Sequence, residues 1–169
     1  MARPGQLLSE HSTNVSEYAA EFGSKFGAGE LMRIAGAYHD IGKSLPEFQV
    51  YVRDENGKRG SVYHSIFGAK KAYDNSGSFV AAADILSNII ASPHGSLRDY
   101  ITPDGSRPLW DKLQETNDFS PRAECPEIDS TILKNELRSI LSAVPQNEKA
   151  FGYTLRNVVV AAECIGFMR

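Results

Sequence analysis

The sequence lacks an excess of positive charge: 18 lysines and arginines stand against 21 aspartates and glutamates, a formal net charge of -3. A broad basic face, the usual footprint of a protein that grips duplex nucleic acid through its phosphates, is thereby excluded, so any nucleic-acid contact has to be local. Cysteine is scarce. Cys125 and Cys164 show no paired spacing, which points to a reduced, cytoplasmic protein. Long hydrophobic runs are missing too. The longest, VVVAAECIGFM (158 to 168), holds a glutamate and falls short of the roughly 20 residues a membrane span needs. The opening MARPGQLLSEH has no apolar core followed by a cleavage site, so neither a span nor a signal peptide is expected. No internal repeat and no convincing strand pattern occurs. What remains is a chain of 169 residues, 41% hydrophobic, enough to bury the core of one domain.

The apolar residues recur at helical spacing. Val15, Tyr18, Ala19, Phe22 and Phe26 predict a helix over about 7 to 26, with His11 on the same inward face. Leu31, Ile34, Ala35 and Tyr38 repeat the pattern, placing His39 and Asp40 on the last turn of a second helix that Gly42 ends. Ser44 with Glu47 matches a capping box. Pro46 suits a first turn, and Leu45, Phe48 and Val52 line a short third helix. DENGKRG (54 to 60) reads as a turn. Helices are predicted over 62 to 74, 78 to 92, around Leu109 to Leu113, over 130 to 143 and over 146 to 169. GSLRDYITPDGSRP (95 to 108) and NDFSPRAECPE have too many breakers for regular structure. The expected architecture is an all-α bundle.

Histidine is the informative scarcity. The chain has 4, at positions 11, 39, 64 and 94, each on an inward helix face or at a helix boundary. A lone inward histidine is ordinarily a hydrogen-bonded core residue. Adjacent His39 and Asp40 are different, because an imidazole and a carboxylate side by side in a buried turn lose solvation unless a metal or partner compensates. Such mixed nitrogen and oxygen donors suit manganese, iron, cobalt, nickel or zinc, whereas magnesium prefers oxygen alone. Lys43 can stabilise a phosphate oxygen, or cap the preceding helix through its macrodipole.

With those residues in view, H-D-x-G-K in YHDIGKSLPEFQ resembles the HD superfamily of metal-dependent phosphohydrolases. The order of motifs narrows the likeness: LPEFQ follows, then YHSIFGA (63 to 69), then IIASPHG (89 to 95). The series resembles the HD nuclease domain of the CRISPR-associated helicase-nuclease of type I systems, a helical bundle. That resemblance implies a prokaryotic, cytoplasmic nuclease domain acting in antiviral defence. It would cleave single-stranded DNA fed to it by a helicase module in cis or trans after an RNA-guided complex opens the target. It also implies that His11, His39 and Asp40 bind a first metal, that Asp40, His64 and His94 hold a second, and that Lys43 lies beside the phosphate. Manganese, iron, cobalt or nickel are then the expected ions, ahead of magnesium and zinc. The implied reaction is in-line attack on phosphorus, with paired ions clamping the attacking and leaving oxygens. The breaker-rich loop at 95 to 108, with Arg98, Tyr100 and Arg107, either offers cationic and aromatic contacts to such a strand or is simply a solvated loop.

The sequence departs from the family pattern twice. Pro93 stands where the family usually has the first of two histidines, so the second site lacks one ligand. The family also closes its first site with an aspartate beyond a helix resembling VVVAAECIGFMR, and the chain stops before one, so 1 to 169 is expected to be a fragment of a longer protein. Two other readings share these residues: an HD phosphohydrolase of small nucleotides, and a docking module whose metal site has degraded.

Overall fold

The computed structural model describes residues 1–53, 64–93, 101–121 and 124–143. Seven α-helices and one 3-10 turn make up the regular structure among them. The elements are α1 (Leu8–Ser24), α2 (Gly29–Tyr38), a 3-10 turn (Ile41–Ser44), α3 (Pro46–Arg53), α4 (Ser65–Asn75), α5 (Val80–Ala91), α6 (Pro108–Glu115) and α7 (Ser130–Ala143). No strand occurs among the described residues, only an isolated bridge between Arg3 and Gln6. The all-α expectation holds. The predicted turn at 54 to 60 and the helix at 146 to 169 lie outside the described residues.

The bundle is organised around α2. Leu31, Met32, Ile34, Ala35 and Tyr38 are wholly inaccessible to solvent, and Arg33, paired with Glu30, is the charged side chain on the helix's central turns, the pattern of a helix enclosed on several sides. α1, α4, α5 and α7 all pack against it. α1 buries Leu8, His11, Val15, Ser16, Ala19 and Gly23 along one stripe, while Tyr18, Phe22 and Phe26 close the edge of the core half-exposed. The turn back into α2 passes through Gly27 at φ +78°, a left-handed conformation that costs a side-chain-bearing residue energy. α1 and α2 then approach closely: a Cβ on Gly36 would lie 2.9 Å from the Ser16 Cα and from the Val15 carbonyl oxygen. Ser16 Oγ seals the contact by donating to the Arg33 carbonyl at 2.9 Å.

α4 and α5 form the second helix pair, burying Ala69 and Ala72 against Ala82, Leu86, Ile89 and Ile90. α7 contributes Leu133, Leu137 and Ile140, spaced at i, i+4 and i+7. It also reaches the other end of α2. The Glu136 carboxylate accepts hydrogen bonds from the backbone N–H groups of Glu30 and Leu31, both at 2.8 Å. A carboxylate there satisfies two orphan donors and complements the positive end of the helix dipole. At the far end Tyr38 Oη donates to the Pro126 carbonyl and accepts from Asn75 Nδ2, each at 2.8 Å, fastening α2 to α4 and to the segment before α7.

The third helix corrects one expectation. Ser44 belongs to the 3-10 turn, so Leu45 precedes the first helical residue and the expected capping box does not form; Ser44 Oγ is buried without a hydrogen bond. The turn uses the residue that the motif needed as a cap.

Replacing Glu136 with alanine removes the only side chain that caps α2 from another helix among the described residues. It should lower the unfolding free energy by about 1 to 3 kcal/mol, the range for charge-assisted bonds to backbone N–H groups. Urea denaturation followed by circular dichroism measures it.

Candidate metal centre

α2 delivers His39 and Asp40 just past its last turn: His39 caps the helix and Asp40 opens the 3-10 turn. Both side chains are wholly buried, as is His11 from α1. His11 Nε2 lies 3.0 Å and His39 Nε2 3.2 Å from the same Asp40 oxygen, Oδ2. His64, on the residue before α4, approaches the other oxygen, with Nε2 3.3 Å from Oδ1. Lys43 Nζ lies 2.6 Å from Oδ2 with the side chain buried. The structure therefore brings together five of the six candidate residues around one carboxylate; the sixth, His94, lies outside the described residues.

The orientation of His39 carries chemical information. Its Nδ1 is 2.7 Å from the Gly36 carbonyl oxygen, which can only accept, so Nδ1 holds the hydrogen. A neutral ring then directs the Nε2 lone pair at Asp40 Oδ2. Two electron-rich atoms in a dry site attract only with a cation between them, either a proton or a metal. Protonating His11, His39 and His64 together would gather three imidazolium rings and an ammonium around one buried carboxylate, an arrangement that desolvation opposes. A divalent ion replaces several protons with a single cation. The donor atoms of His11, His39 and Asp40 all lie within 4.8 Å of one another, so they fit a metal ion both in chemistry and in spacing.

With a proton as that cation, burial acts to raise the Asp40 pKa, but the charge of His39 and hydrogen bonds from His11, His39 and His64 outweigh it. The carboxyl is held well below its usual range. It enters the site as an anion.

The glycine of the motif has a different role from the one its position suggests. Gly42 was expected to end α2, yet the helix closes at Tyr38 and Gly42 sits inside the 3-10 turn, absent from the positive-φ glycines. Its necessity is steric. A Cβ at Gly42 would fall 2.0 Å from the His64 carbonyl oxygen, and one at Gly68 would fall 2.2 Å from that of Tyr38. These two contacts seat the start of α4 on the end of α2 and so hold His64 at Asp40.

Several contributors escape a reading of the sequence: the Gly36 carbonyl, the Phe48 ring 4.9 Å from the His64 ring, and Gln49, which bonds the Lys43 carbonyl. The first had a signal, lying three residues before His39 on one helix. Lys43 was expected to serve a phosphate or a helix end, and it forms an ion pair with Asp40. Arg107 lies over Trp110, 5.0 Å from the ring centroid, with its guanidinium 3.7 Å from Asp84; Arg98 and Tyr100 lie outside the described residues. A cavity of about 510 Å³ lined by Lys70, Lys71, Asp74, Asp118, Phe119 and Ser120 opens on α4, and none of the Asp40 cluster lines it.

A helical bundle with a buried histidine and aspartate pair at a helix end defines a class, and the HD domain family model matches residues 8–134. This chain belongs to the HD domain family, whose members are metal-dependent hydrolases. Over 67 residues it is 42% identical to the CRISPR-associated nuclease/helicase Cas3 of Haloferax volcanii, covering 37% of this chain and 7% of that protein. The chain thus matches only a small part of its relative's length. Both likenesses are consistent with an HD domain of the Cas3 type. No solved structure matches significantly. Among the described residues no helix is long and apolar enough to cross a membrane.

Two outcomes test this geometry. Manganese, cobalt or nickel at about 100 times its dissociation constant should raise the melting temperature by roughly 5 to 10 °C, with little effect in Asp40→Asn. Gly42→Ala should weaken metal-dependent stabilisation and cost about 1 to 3 kcal/mol without metal, because His64 has to move off its seat. Equal metal responses in Gly42→Ala and the parent chain would count against the steric role of Gly42.

Proposed function

We propose that this chain is the HD nuclease domain of a Cas3-type system, cleaving single-stranded DNA in CRISPR interference with one or two divalent ions. Manganese, iron, cobalt and nickel are favoured over magnesium and zinc. The observation that supports this reading is the division of histidines about Asp40: His11 and His39 lie at one carboxylate oxygen and His64 at the other. A carboxylate flanked in this way suits a bridging role. His11, His39 and Asp40 would hold one ion; Asp40, His64 and His94 would hold a second, more weakly since Pro93 offers no donor.

A bound ion would supply Lewis-acid stabilisation of the charge that develops on phosphate oxygens. The chain's own residues do the rest. His39, fixed by the Gly36 carbonyl, keeps its Nε2 as a donor to the ion. Asp40 orients both halves of the site. Lys43 brings an ammonium that a phosphate oxygen can share with Asp40 once a strand enters. Partners on this reading are single-stranded DNA, a helicase module in cis or trans, and an RNA-guided target-binding complex, in a prokaryotic cytoplasm.

One observation favours a second reading. His11, His39 and Asp40 are wholly buried, which suits a small nucleotide in a closed pocket as well as a strand in a groove. Incubating the purified chain with labelled single-stranded DNA and, separately, with nucleoside triphosphates and monophosphates separates the two. The expected result is DNA cleavage with manganese, cobalt or nickel that falls by more than about 100-fold in Asp40→Ala. Turnover of nucleotides alone would establish the second reading, and absence of both metal binding and activity would leave a docking module.

A further inference from the structure

The segment that follows the HD turn returns to it. Gln49, on the first turns of α3, folds its amide back over the 3-10 turn, and Nε2 donates to the Lys43 carbonyl at 2.7 Å and to the Met1 carbonyl at 2.8 Å. Lys43 is thereby held by its backbone on both sides, since its N–H donates to the Asp40 carbonyl at 2.8 Å. Phe48, the preceding residue, is buried and touches two members of the site. Its ring centroid lies 5.8 Å from Lys43 Nζ, and the ring meets that of His64 edge-on at 4.9 Å. Consecutive residues of one helix therefore hold Lys43 at both ends, the carbonyl through Gln49 and the ammonium through Phe48.

We propose that Gln49 is a positioning residue that fixes the reach of the Lys43 ammonium into the Asp40 centre, with Phe48 as its apolar support. The physical basis is the shortness of the lever. A 3-10 turn has few hydrogen bonds of its own, and rotating the Lys43 peptide would swing the side chain away from Asp40. One amide that saturates both of its N–H donors on two carbonyls stops that rotation. In the proposed nuclease, which this role presupposes, Gln49 never touches substrate and acts through Lys43 alone.

The test has an arm that does not need activity. The full chain is acetylated under limiting reagent, and labelling of Lys43 is compared by mass spectrometry with that of the exposed Lys25 and Lys112. Gln49→Met, which keeps length and removes the donor, should raise Lys43 labelling about 10-fold, the equilibrium equivalent of losing one such hydrogen bond. The reference lysines should stay unchanged, as should the visible spectrum of bound cobalt. Gln49→Glu, which turns the donor into an acceptor, should do the same and serves if the methionine variant fails to fold. Labelling within 2-fold of the parent chain in both variants overturns the proposal.

The second arm is a double-mutant cycle on DNA cleavage. Gln49→Met should lower single-turnover cleavage about 10-fold, and should add nothing in a Lys43→Met background. Independent losses that multiply would mean that Gln49 acts elsewhere. If the parent chain cleaves no DNA, the nuclease reading fails while the labelling arm still decides the role of Gln49.

Discussion

A single carboxylate, that of Asp40, is removed from water and kept charged, and the surrounding structure is arranged to make that tolerable. An isolated ionised carboxylate in an apolar interior is too costly to persist; it would take up a proton. Asp40 remains an anion because imidazoles from α1, α2 and the start of α4 converge on it with an ammonium from the intervening turn. Removing that charge would leave several basic groups facing one another with nothing between them. The same arrangement that makes the carboxylate possible makes it receptive to a divalent ion, so stability and metal binding rest on one set of contacts.

Convergence of that kind needs helices at unusually short range. Large residues would hold α4 away from the end of α2. Instead Gly42 lies under the His64 carbonyl and Gly68 under the Tyr38 carbonyl, so two backbones meet without side chains between them. Gly36 does the same between α2 and α1, and its carbonyl is the one that orients His39. Close packing and the tautomer of a candidate ligand thus depend on a single residue without a Cβ. α2 can serve as the common support because both ends are fastened, by Glu136 at one and by Tyr38 at the other.

Much of this was legible from local pattern. Helical periodicity placed α1, α2, α4, α5 and α7 within a few residues, because each buries a continuous apolar stripe and the stripe is written at fixed intervals. The four histidines stood out for their scarcity. What escaped was whatever depends on residues distant in sequence. Gly42 looked like a helix end because a glycine after a helix commonly adopts a left-handed cap, and nothing nearby told that His64 would rest on it. Ser44 and Glu47 matched a capping box, but the requirement to point Lys43 at Asp40 drew Ser44 into a 3-10 turn. Lys43 itself was read for a phosphate or a helix end, because its ion pair becomes visible only when the turn closes. His94 and the last predicted helix lie outside the described residues, so those expectations stand as proposals.

The charge balance bears on how a substrate would arrive. With a net charge of -3, the chain as a whole provides no attractive field for a polyanion, and screening confines any local attraction to roughly 8 to 10 Å. Lys43, the ammonium that lies at Asp40 among the described residues, is already engaged with the carboxylate. Positive potential at the centre would come chiefly from the ions it holds, and it would be felt only by a phosphate brought almost into contact. A freely diffusing strand gains little from such a site, whereas a strand pushed in by another machine does not depend on long-range steering. That requirement favours the proposed pairing with a helicase module over unaided capture of DNA, and it makes a buried site in an acidic chain compatible with the proposed nuclease.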